Sequence, residues 1–400
     1  MVPYTKQKNK SFLPEIVSFM VVLGIFFVLG IKGFAGGCLN EVRSIAAGKG
    51  FSIERLEHYY NERVPLKNAL ITLNGGFRKI LGQRAVNERY RLDNGQLTYV
   101  IPELEMNAIA ENTAAFRKEL ASRGIPMAYI STPFKMDPKN KQLPPTVEDF
   151  SNENADRFLA VLQENGVPFL DLREDFAASG KDHYTWFFPT DHHWTPEAGL
   201  YAVRAVTEYL KEMDSAFAVQ SAVLQEESFT AVRYEDLFLG SHGRRTGPWY
   251  SGFDDISVLE PNYETNLLLT APEDGIERTG TYAETVLFPE HLTRAHCFDN
   301  AAYDVYCGKD YGYLQIKNLT DPGSSKTAPT GKKLLVLKDS FSLVTAPFFA
   351  LGYQECTFLD LRLFEDSLMS YIEEHEPDLV LVFYNPGALE DNNWNMFDFR

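Results

Sequence analysis

The sequence has few cysteines and few basic residues for its length, and these shortages narrow the possible functions. Its 400 residues include four cysteines, with no CxxC pair and no Cys/His metal pattern. The 38 lysines and arginines are outnumbered by 55 aspartates and glutamates, which gives a net charge of −17. This acidity argues against a nucleic-acid partner, because phosphate binding draws on basic patches. Internal repeats and low-complexity tracts are also absent, and an apolar fraction of 44% predicts a folded chain.

The first forty residues differ in character from the rest of the chain. Three lysines precede Ile16–Ile31, an uncharged stretch without the polar face that a soluble core helix would show. A membrane span needs about 20 apolar residues, and Lys32 can extend this stretch by snorkelling. We expect residues 1–38 to form a cytoplasmic stub and a single transmembrane anchor. The flanking lysines would keep the N-terminus in the cytoplasm and send the remainder of the chain across the membrane.

Other exported proteins begin in a similar way. A cleaved signal peptide would have the same layout, with Ala35 or Gly37 as the small residue before the cut, and the segment ending at Cys38 faintly resembles a lipoprotein processing site. Each alternative delivers the chain to the same side of the membrane, where disulfides are permitted. We expect Cys297 and Cys307, ten positions apart in a loop-like segment, to be the pair that bridges. The alternative is two free thiols.

An α/β alternation organises residues 101–400, after a mixed lead-in segment at residues 39–100. Strand-like runs such as Asp378–Phe383 alternate with amphipathic helices, which predicts a mostly parallel sheet covered by helices on both faces. Residues 214–330 interrupt this pattern with short aromatic and β-branched runs and many turn residues, so we expect a strand- and loop-rich insertion or subdomain there. In such sheets the ligand crevice lies at the carboxyl ends of the strands.

Two segments place reactive side chains where this crevice would lie. Asp191 and His193 are two residues apart, so in an extended turn both point the same way and the carboxylate can hold the imidazole. His192, between them, would point elsewhere, toward structure or substrate. The predicted buried strand Lys333–Leu337 (KLLVL) leads into Ser340 at a predicted helix start, where free amides can stabilise an oxyanion. The pattern favours a serine nucleophile with a histidine base, although a serine at a helix start is more often a cap.

The tetrad Asp191–Trp194 (DHHW) resembles the defining motif of the DHHW protein family. With the segment VLKDSFS around Ser340, it also resembles the alginate O-acetyltransferase group of SGNH-like hydrolases, over about residues 100–400. The resemblance implies an SGNH-hydrolase-like sheet in permuted order, because the Asp-x-His pair precedes the serine. It implies that Ser340 is the nucleophile, His193 the general base and Asp191 its orienting acid.

The resemblance also implies a reaction and its partners. It implies transfer of an acyl group, most often acetyl, onto or off a cell-surface polysaccharide. The acyl group would come from a membrane-embedded exporting protein, so no soluble cofactor would be needed. Transferase and esterase share the same acyl-enzyme, and the sequence does not choose between them.

The sequence departs from this group at Lys338, where SGNH enzymes usually have glycine, and a lysine there would crowd the oxyanion site. Asn385, after the last strand, stands where an oxyanion asparagine would stand, but Asn-Pro-Gly is also a turn signature. Lys135 and Arg245 are further candidates for lining the crevice. The alternative for both is an ordinary surface position.

Two other functions stay open. Asp-His-His also occurs in DHH phosphoesterases, which would make the chain a metal-dependent phosphoester hydrolase. The Gly-Asp expected after that motif is replaced by Trp194–Glu197, so we predict no metal site. The other alternative is a non-catalytic glycan-binding or assembly protein that uses aromatic residues of the insertion as a sugar platform. Those aromatic residues are Trp249, Tyr250, Phe253 and Tyr263.

Overall fold

The computed structural model describes residues 13–62, 64, 66–390 and 395–399. The chain divides into two compact units, Met1–Leu73 and Asn74–Arg400. All of the candidate site residues belong to the second unit.

The described residues form twelve α-helices and thirteen β-strands. The helices are α1 (Leu13–Ala46), α2 (Ile53–Glu62), α3 (Lys67–Ile80), α4 (Asn107–Ser122), α5 (Ser151–Glu164), α6 (Leu172–Ala178), α7 (Pro196–Met213), α8 (Ser241–Thr246), α9 (Pro248–Ser251), α10 (Tyr282–Val286), α11 (Ser342–Gly352) and α12 (Leu368–His375). The strands are β1 (Ala85–Val86), β2 (Arg89–Arg91), β3 (Leu97–Thr98), β4 (Met127–Ser131), β5 (Phe169–Asp171), β6 (Phe229–Phe238), β7 (Asp254–Pro261), β8 (Leu267–Ala271), β9 (Ile276–Gly280), β10 (Tyr313–Asn318), β11 (Thr330–Lys338), β12 (Tyr353–Leu359) and β13 (Leu379–Tyr384).

Helices α1 and α2 make up most of the first unit. The predicted membrane segment Ile16–Ile31 lies inside α1, and the lysines that precede it lie outside the described residues. Arg55 of α2 is paired with Glu41 of α1 at 2.6 Å. Among the helices of the described residues, none combines enough length with enough apolarity to cross a membrane. The anchor therefore stays a prediction from the sequence.

The second unit is built around an eight-stranded sheet in the order β5-β4-β13-β11-β12-β10-β8-β9. The strands from β5 to β12 pair in parallel. The three strands β10, β8 and β9 are added to β12 in antiparallel pairing. The predicted α/β fold is confirmed, but the sheet is mixed rather than mostly parallel. The antiparallel strands come from the insertion at residues 214–330, which therefore extends the main sheet.

The side chains of β11 alternate between two hydrophobic cores. Leu334 and Val336 pack on the face covered by α7 and α11, and Leu335 and Leu337 pack on the face covered by α4, α5 and α12. Because successive side chains of a strand point to opposite faces, a strand covered by helices on both sides is apolar at every position. This two-sided burial explains the unbroken apolar run Leu334–Leu337.

The predicted disulfide between Cys297 and Cys307 is wrong, because the structure has free thiols at both positions. Cys307 is fully buried in the larger core, whereas Cys297 is only partly buried in a loop. Burial raises the pKa of the Cys307 thiol to about 12, so the group stays neutral. The ten-residue spacing says nothing of side-chain direction, and Cys307 packs into the core as a small apolar residue.

Helices α7 and α11 approach closely at Gly199. Helix α7 begins after Thr195, whose hydroxyl accepts a hydrogen bond from the Ala198 N–H at 3.2 Å. A Cβ atom at Gly199 would lie 2.7 Å from Val344 Cγ2 of α11. Because α7 follows the DHHW segment and α11 follows Ser340, this contact sets the distance between the two segments that carry the candidate residues.

We predict that Gly199→Val lowers the free energy of unfolding by about 2–3 kcal/mol, because the added methyl groups would overlap Val344 in a filled core. Urea denaturation measures the change. Glu212→Val is the matched control, since it places the same side chain at an exposed position of α7 and should change stability by less than about 0.5 kcal/mol. Equal losses in the two variants would show that the close helix contact does not limit the size of residue 199.

Candidate active site

Three neighbouring parallel strands end at one edge of the sheet. The register pairs Ser131, the last residue of β4, with Tyr384 of β13, and Lys338, the last residue of β11, with Phe383. The segments that follow therefore begin side by side, at the edge where ligands bind in such sheets. These segments contain three of the candidate residues, namely Lys135, Ser340 and Asn385.

The Asp191–His193 pair reaches this edge and contacts Ser340. His193 Nε2 lies 2.7 Å from Ser340 Oγ, although 147 positions separate the two residues. His193 Nδ1 lies 2.6 Å from Asp191 Oδ1. A carboxylate at one imidazole nitrogen and a hydroxyl at the other is the arrangement that activates a serine as a nucleophile. The structure thus brings the three side chains together in the order that such chemistry requires.

The indole of Trp194 holds the histidine segment against the serine segment. This side chain is fully buried, and its Nε1–H donates to the carbonyl oxygen of Phe341 at 3.0 Å. Phe341 directly follows Ser340, and its ring lies with its centroid 5.4 Å from that of Trp194. An antiparallel bridge between Phe187 and Trp194 closes the loop that carries the Asp191–His193 pair. Trp194 therefore holds the loop of Asp191 and His193 against the turn that carries Ser340.

The carboxylate of Asp191 is buried and fully hydrogen-bonded. Its Oδ1 accepts from the backbone N–H of His193 at 2.8 Å as well as from the imidazole, and its Oδ2 accepts from the backbone N–H of Ser241. Burial alone would raise the pKa of Asp191. Electrostatic interactions with the His193 and His192 rings and the hydrogen bond from His193 lower that pKa well below its ordinary value. Asp191 is therefore ionised and holds the His193 ring in one orientation.

Lys135 lies beneath this loop rather than in the crevice. Its buried ammonium donates to the carbonyl oxygens of Phe188 at 2.5 Å, Pro189 at 3.1 Å and Asp191 at 2.7 Å. Burial lowers the pKa of Lys135, and the negative charges of Asp254 and Asp191 act against that shift. The expectation that Lys135 lines the crevice is wrong, because the side chain supports the loop from its buried side.

Asp254 of β7 holds the same loop at a second point. Its carboxylate accepts from the backbone N–H and the hydroxyl of Thr190, each at 2.8 Å. Burial raises the pKa of Asp254, while the bonds from Thr190 and the charge of Lys135 lower it. No sequence pattern marks Asp254 as part of the site, because it comes from a strand of the insertion.

Ser340 lies in the turn between β11 and α11 and is half-buried. The Asp339 carboxylate stabilises this turn by accepting from the backbone N–H of Phe341 at 2.9 Å and of Asn385 at 2.6 Å. The backbone N–H of Ser340 itself donates to no other group of the described residues. It is therefore available to stabilise negative charge that develops next to the serine oxygen.

Lys338 does not crowd the oxyanion site in the way that the sequence suggests. Its ammonium pairs with Asp310 and, at 3.4 Å, with Asp360, and the side chain is almost completely buried. Burial alone would lower the pKa of Lys338, but these two carboxylates raise it above its ordinary value. The expected crowding of the oxyanion site is wrong, because the charged end of this side chain is committed to the two carboxylates.

Asn385 cross-links two of the segments at the sheet edge. Its Nδ2 donates to Thr132 Oγ1 at 3.3 Å and to the carbonyl oxygen of Pro133 at 2.9 Å. Its Oδ1 accepts from the backbone N–H of Gly387 at 2.9 Å. With these bonds in place the amide has no free N–H to offer an oxyanion, so the turn interpretation describes this residue better.

A cleft of about 530 Å³ opens beside Ser340. His192 lines it, together with three basic residues, Arg89, Arg245 and Arg362, and three acidic residues, Glu88, Asp339 and Glu390. Arg362 is paired with Asp360, whereas the buried Nε of Arg89 has no hydrogen-bond partner among the described residues. Arg89 comes from the lead-in segment, where the sequence carries no signal of a functional site.

The donor set of Asp191, His192 and His193 does not fit a metal site well. Their ligand atoms lie within 4.8 Å of one another. However, both oxygens of Asp191 already accept hydrogen bonds, and His193 Nε2 contacts Ser340. The ammonium of Lys135 bonded to the carbonyl of Asp191 adds a positive charge that a second cation would have to face. This bonding favours the serine interpretation over the metal-dependent phosphoesterase.

The aromatic residues of the insertion do not form an exposed platform. Trp249 is 59% exposed, but Tyr250 is buried and bonds to the carbonyl of Gln83. Phe253 is covered by the guanidinium of Arg294 at 3.9 Å, and the Tyr263 hydroxyl bonds to a backbone carbonyl. Among these four residues only Trp249 is strongly exposed, so they do not form the sugar platform that the third function would use.

We predict that Lys135→Met lowers the free energy of unfolding by about 3–5 kcal/mol, because three carbonyl oxygens lose their donor and Asp254 loses a nearby positive charge. The double variant Lys135→Met/Asp254→Asn should recover part of this loss, since it removes the uncompensated charge and Asn can still accept from Thr190. Urea denaturation of the two single variants and the double variant measures the coupling. Additive losses would show that the two side chains hold the loop independently.

Comparison with known proteins agrees with this geometry. Residues 96–250 match the family model described as the SGNH hydrolase-like domain of acetyltransferase AlgX. Bacillus cereus PatB1 has a similar fold, with a TM-score of 0.62 and 19% identity over 78% of this chain and 99% of that chain. Its structure with a sulfonyl adduct gives a TM-score of 0.61, with 19% identity over 79% of this chain and 100% of that one.

A DHHW family protein from Eubacterium siraeum is also similar in fold, with a TM-score of 0.59 and 16% identity over 78% of this chain and 96% of that chain. No curated protein sequence matches the chain. The family match covers the DHHW tetrad, and the fold is shared over most of the chain. The resemblance to the SGNH hydrolase-like acetyltransferases that Asp191–Trp194 indicates is thereby confirmed.

Proposed function

We propose that the chain is a cell-envelope O-acyltransferase or esterase that carries an acetyl group as an ester of Ser340. The observation that carries this proposal is the chain of hydrogen bonds from Ser340 through His193 to a buried, ionised Asp191. The match to an acetyltransferase domain supports acetyl as the group transferred. Both half-reactions can be written with these three side chains alone.

In the first half-reaction Ser340 attacks the acetyl donor. Ser340 Oγ forms a bond to the carbonyl carbon while its proton passes to His193 Nε2, 2.7 Å away. The negative charge on the carbonyl oxygen is stabilised by the backbone N–H of Ser340. The bond from carbon to the donor oxygen then breaks, and His193 returns the proton to that oxygen. Asp191 stabilises the imidazolium while it exists.

In the second half-reaction an acceptor hydroxyl takes the acetyl group. His193 removes the proton of that hydroxyl as its oxygen bonds to the acetyl carbon, and the bond to Ser340 Oγ breaks as the proton passes to the serine. A sugar hydroxyl gives an O-acetylated polysaccharide, and water gives acetate. We propose a surface polysaccharide as the acceptor and a membrane-embedded acyl-exporting protein as the source of the donor.

We predict that Ser340→Ala abolishes labelling by phenylmethylsulfonyl fluoride and lowers acetyl-ester hydrolysis by at least about 10³-fold. In the wild type the sulfonyl group would bond to Ser340 Oγ, with fluoride leaving and the proton passing through His193. Intact-protein mass spectrometry measures the adduct. The sulfonyl adduct of PatB1 makes this class of reagent a reasonable probe.

Ser342→Ala is the matched control, because this serine is two residues away, buried and without a side-chain partner among the described residues. Its labelling and hydrolysis should remain close to those of the wild type. If Ser340→Ala is labelled as fast as the wild type, or hydrolyses acetyl esters at the same rate, the proposal is wrong. Circular dichroism of both variants checks that each remains folded.

We also propose that the second unit works outside the cytoplasm, on the basis of the apolar stretch Ile16–Ile31 and the lysines before it. Protease added to intact cells should digest the chain after residue 40 while a cytoplasmic marker protein survives. The experiment is read by immunoblot with and without permeabilisation. Digestion only after permeabilisation would place the unit inside the cell.

A further inference from the structure

We propose that His192 binds the acceptor hydroxyl of a sugar in the second half-reaction and thereby favours transfer over hydrolysis. This inference rests on the proposed function and names a second task within the same site. His192 would touch the acceptor and exchange no proton with it. His193 would remain the base.

The position of the His192 ring supports this assignment. The ring lines the same cleft as Ser340, and its centroid lies 3.8 Å from that of His193. Its Nδ1 is bonded to Ser241 Oγ at 2.8 Å. Its Nε2 has no hydrogen-bond partner within the described part of the chain, nor is it among the buried unpartnered atoms there. One nitrogen is thus fixed by the protein, and the other is free for a molecule in the cleft.

The charge state of His192 suits a hydrogen-bonding role. Burial and the positive charges of His193, Lys135 and Arg89 lower the pKa of His192 to about 3, while Asp191 acts in the opposite direction. The neighbouring His242 ring, 5.8 Å away, is neutral as well because burial lowers its pKa well below the ordinary value. His192 is therefore neutral near pH 7. When Nδ1 of the neutral ring accepts from the Ser241 hydroxyl, the Nε2–H can donate to the sugar oxygen and leaves the hydroxyl proton to His193.

A sugar acceptor depends on a hydrogen bond to His192 more than a water acceptor does. Water needs one hydrogen bond, to His193 Nε2, to be placed for attack on the acyl-enzyme. A sugar must also have its ring held so that one chosen hydroxyl points at the acetyl carbon. The His192 ring, in contact with the His193 ring, is next to the place where that hydroxyl must lie. Loss of His192 should therefore slow attack by sugar more than attack by water.

The test separates the two half-reactions in the full-length protein. p-Nitrophenyl acetate supplies the acetyl group, and the initial release of nitrophenolate reports formation of the acyl-enzyme. Envelope polysaccharide from the source cells, stripped of its acetyl esters with base, is the acceptor. The ratio of acetyl-polysaccharide to free acetate then reports the partition between sugar and water.

We expect His192→Phe to form the acyl-enzyme within about threefold of the wild-type rate and to lower the partition ratio by about tenfold or more, the effect of one lost hydrogen bond. His192→Gln should restore part of the ratio, because its amide can bond a hydroxyl. The pH profile of acyl-enzyme formation should be the same in all variants, since His192 carries no proton in the reaction.

Ser241→Ala tests the idea without changing the ring, in case His192→Phe disturbs the neighbouring His193. It removes the hydroxyl that fixes His192 Nδ1 but keeps the backbone N–H that bonds Asp191. We expect a smaller fall in the partition ratio and unchanged acyl-enzyme formation. Ser241 is a positioning residue in this scheme.

The outcomes distinguish this inference from the function on which it rests. If His192→Phe loses acyl-enzyme formation and transfer equally, His192 acts in the first half-reaction and the inference is overturned. The inference is also overturned if one limb of the pH profile of acyl-enzyme formation disappears in this variant. A wild type that forms the acyl-enzyme but transfers nothing to the polysaccharide would reject the inference and favour the esterase. A wild type without acyl-enzyme would reject the proposed function itself.

Discussion

The buried charge of Asp191 is the constraint on which the rest of the site depends. A carboxylate away from water is stable only when its oxygens are hydrogen-bonded and positive charge lies near. Asp191 obtains these from three parts of the chain, namely His193 of its own loop, Ser241 of the insertion and Lys135 of the segment after β4. The charge therefore requires all three parts to meet. The orientation of His193 follows from that requirement.

The parallel sheet brings the segment that carries Ser340 to the same place. β4, β13 and β11 are neighbours in the sheet, so the residues that follow them begin at the same edge regardless of their separation in the chain. Asp339 and Asn385 then tie these segments to one another through backbone and amide hydrogen bonds. Trp194 joins the histidine loop to the turn of Ser340. A nucleophile held in this way needs little reorganisation when a donor binds.

The sequence predicted those parts of the molecule that depend on local patterns. Strands buried on both faces are apolar at every position, and the Thr195-Pro196 pair is a strong helix start, so the α/β core and α7 could be expected from residue order alone. The Asp191–His193 pair could be joined to Ser340 because both segments open helices of one sheet. The direction in which a side chain points depends on the folded neighbours, and there the sequence was a poor guide. Lys338 and Lys135 turn away from the crevice because carboxylates or carbonyl oxygens elsewhere bind them. Asn385 lines the crevice, but its amide is bonded to neighbouring loop residues.

The insertion shows why part of the site could not be predicted. Its strands carry no α/β pattern, yet β8, β9 and β10 extend the main sheet. The segment after β6, which pairs with β7 in a separate sheet, brings Ser241 to both Asp191 and His192. This approach requires glycine at position 240, where a Cβ atom would lie 2.4 Å from the Cβ of Asp191. Because the backbone comes this close, the Ser241 N–H donates to the Asp191 carboxylate, and the Ser241 hydroxyl bonds to the His192 ring. The two adjacent histidines therefore acquire different environments: His193 lies between a carboxylate and a nucleophile, and His192 is kept neutral beside the cleft. A single motif can thus provide one ring that moves a proton and another that only binds.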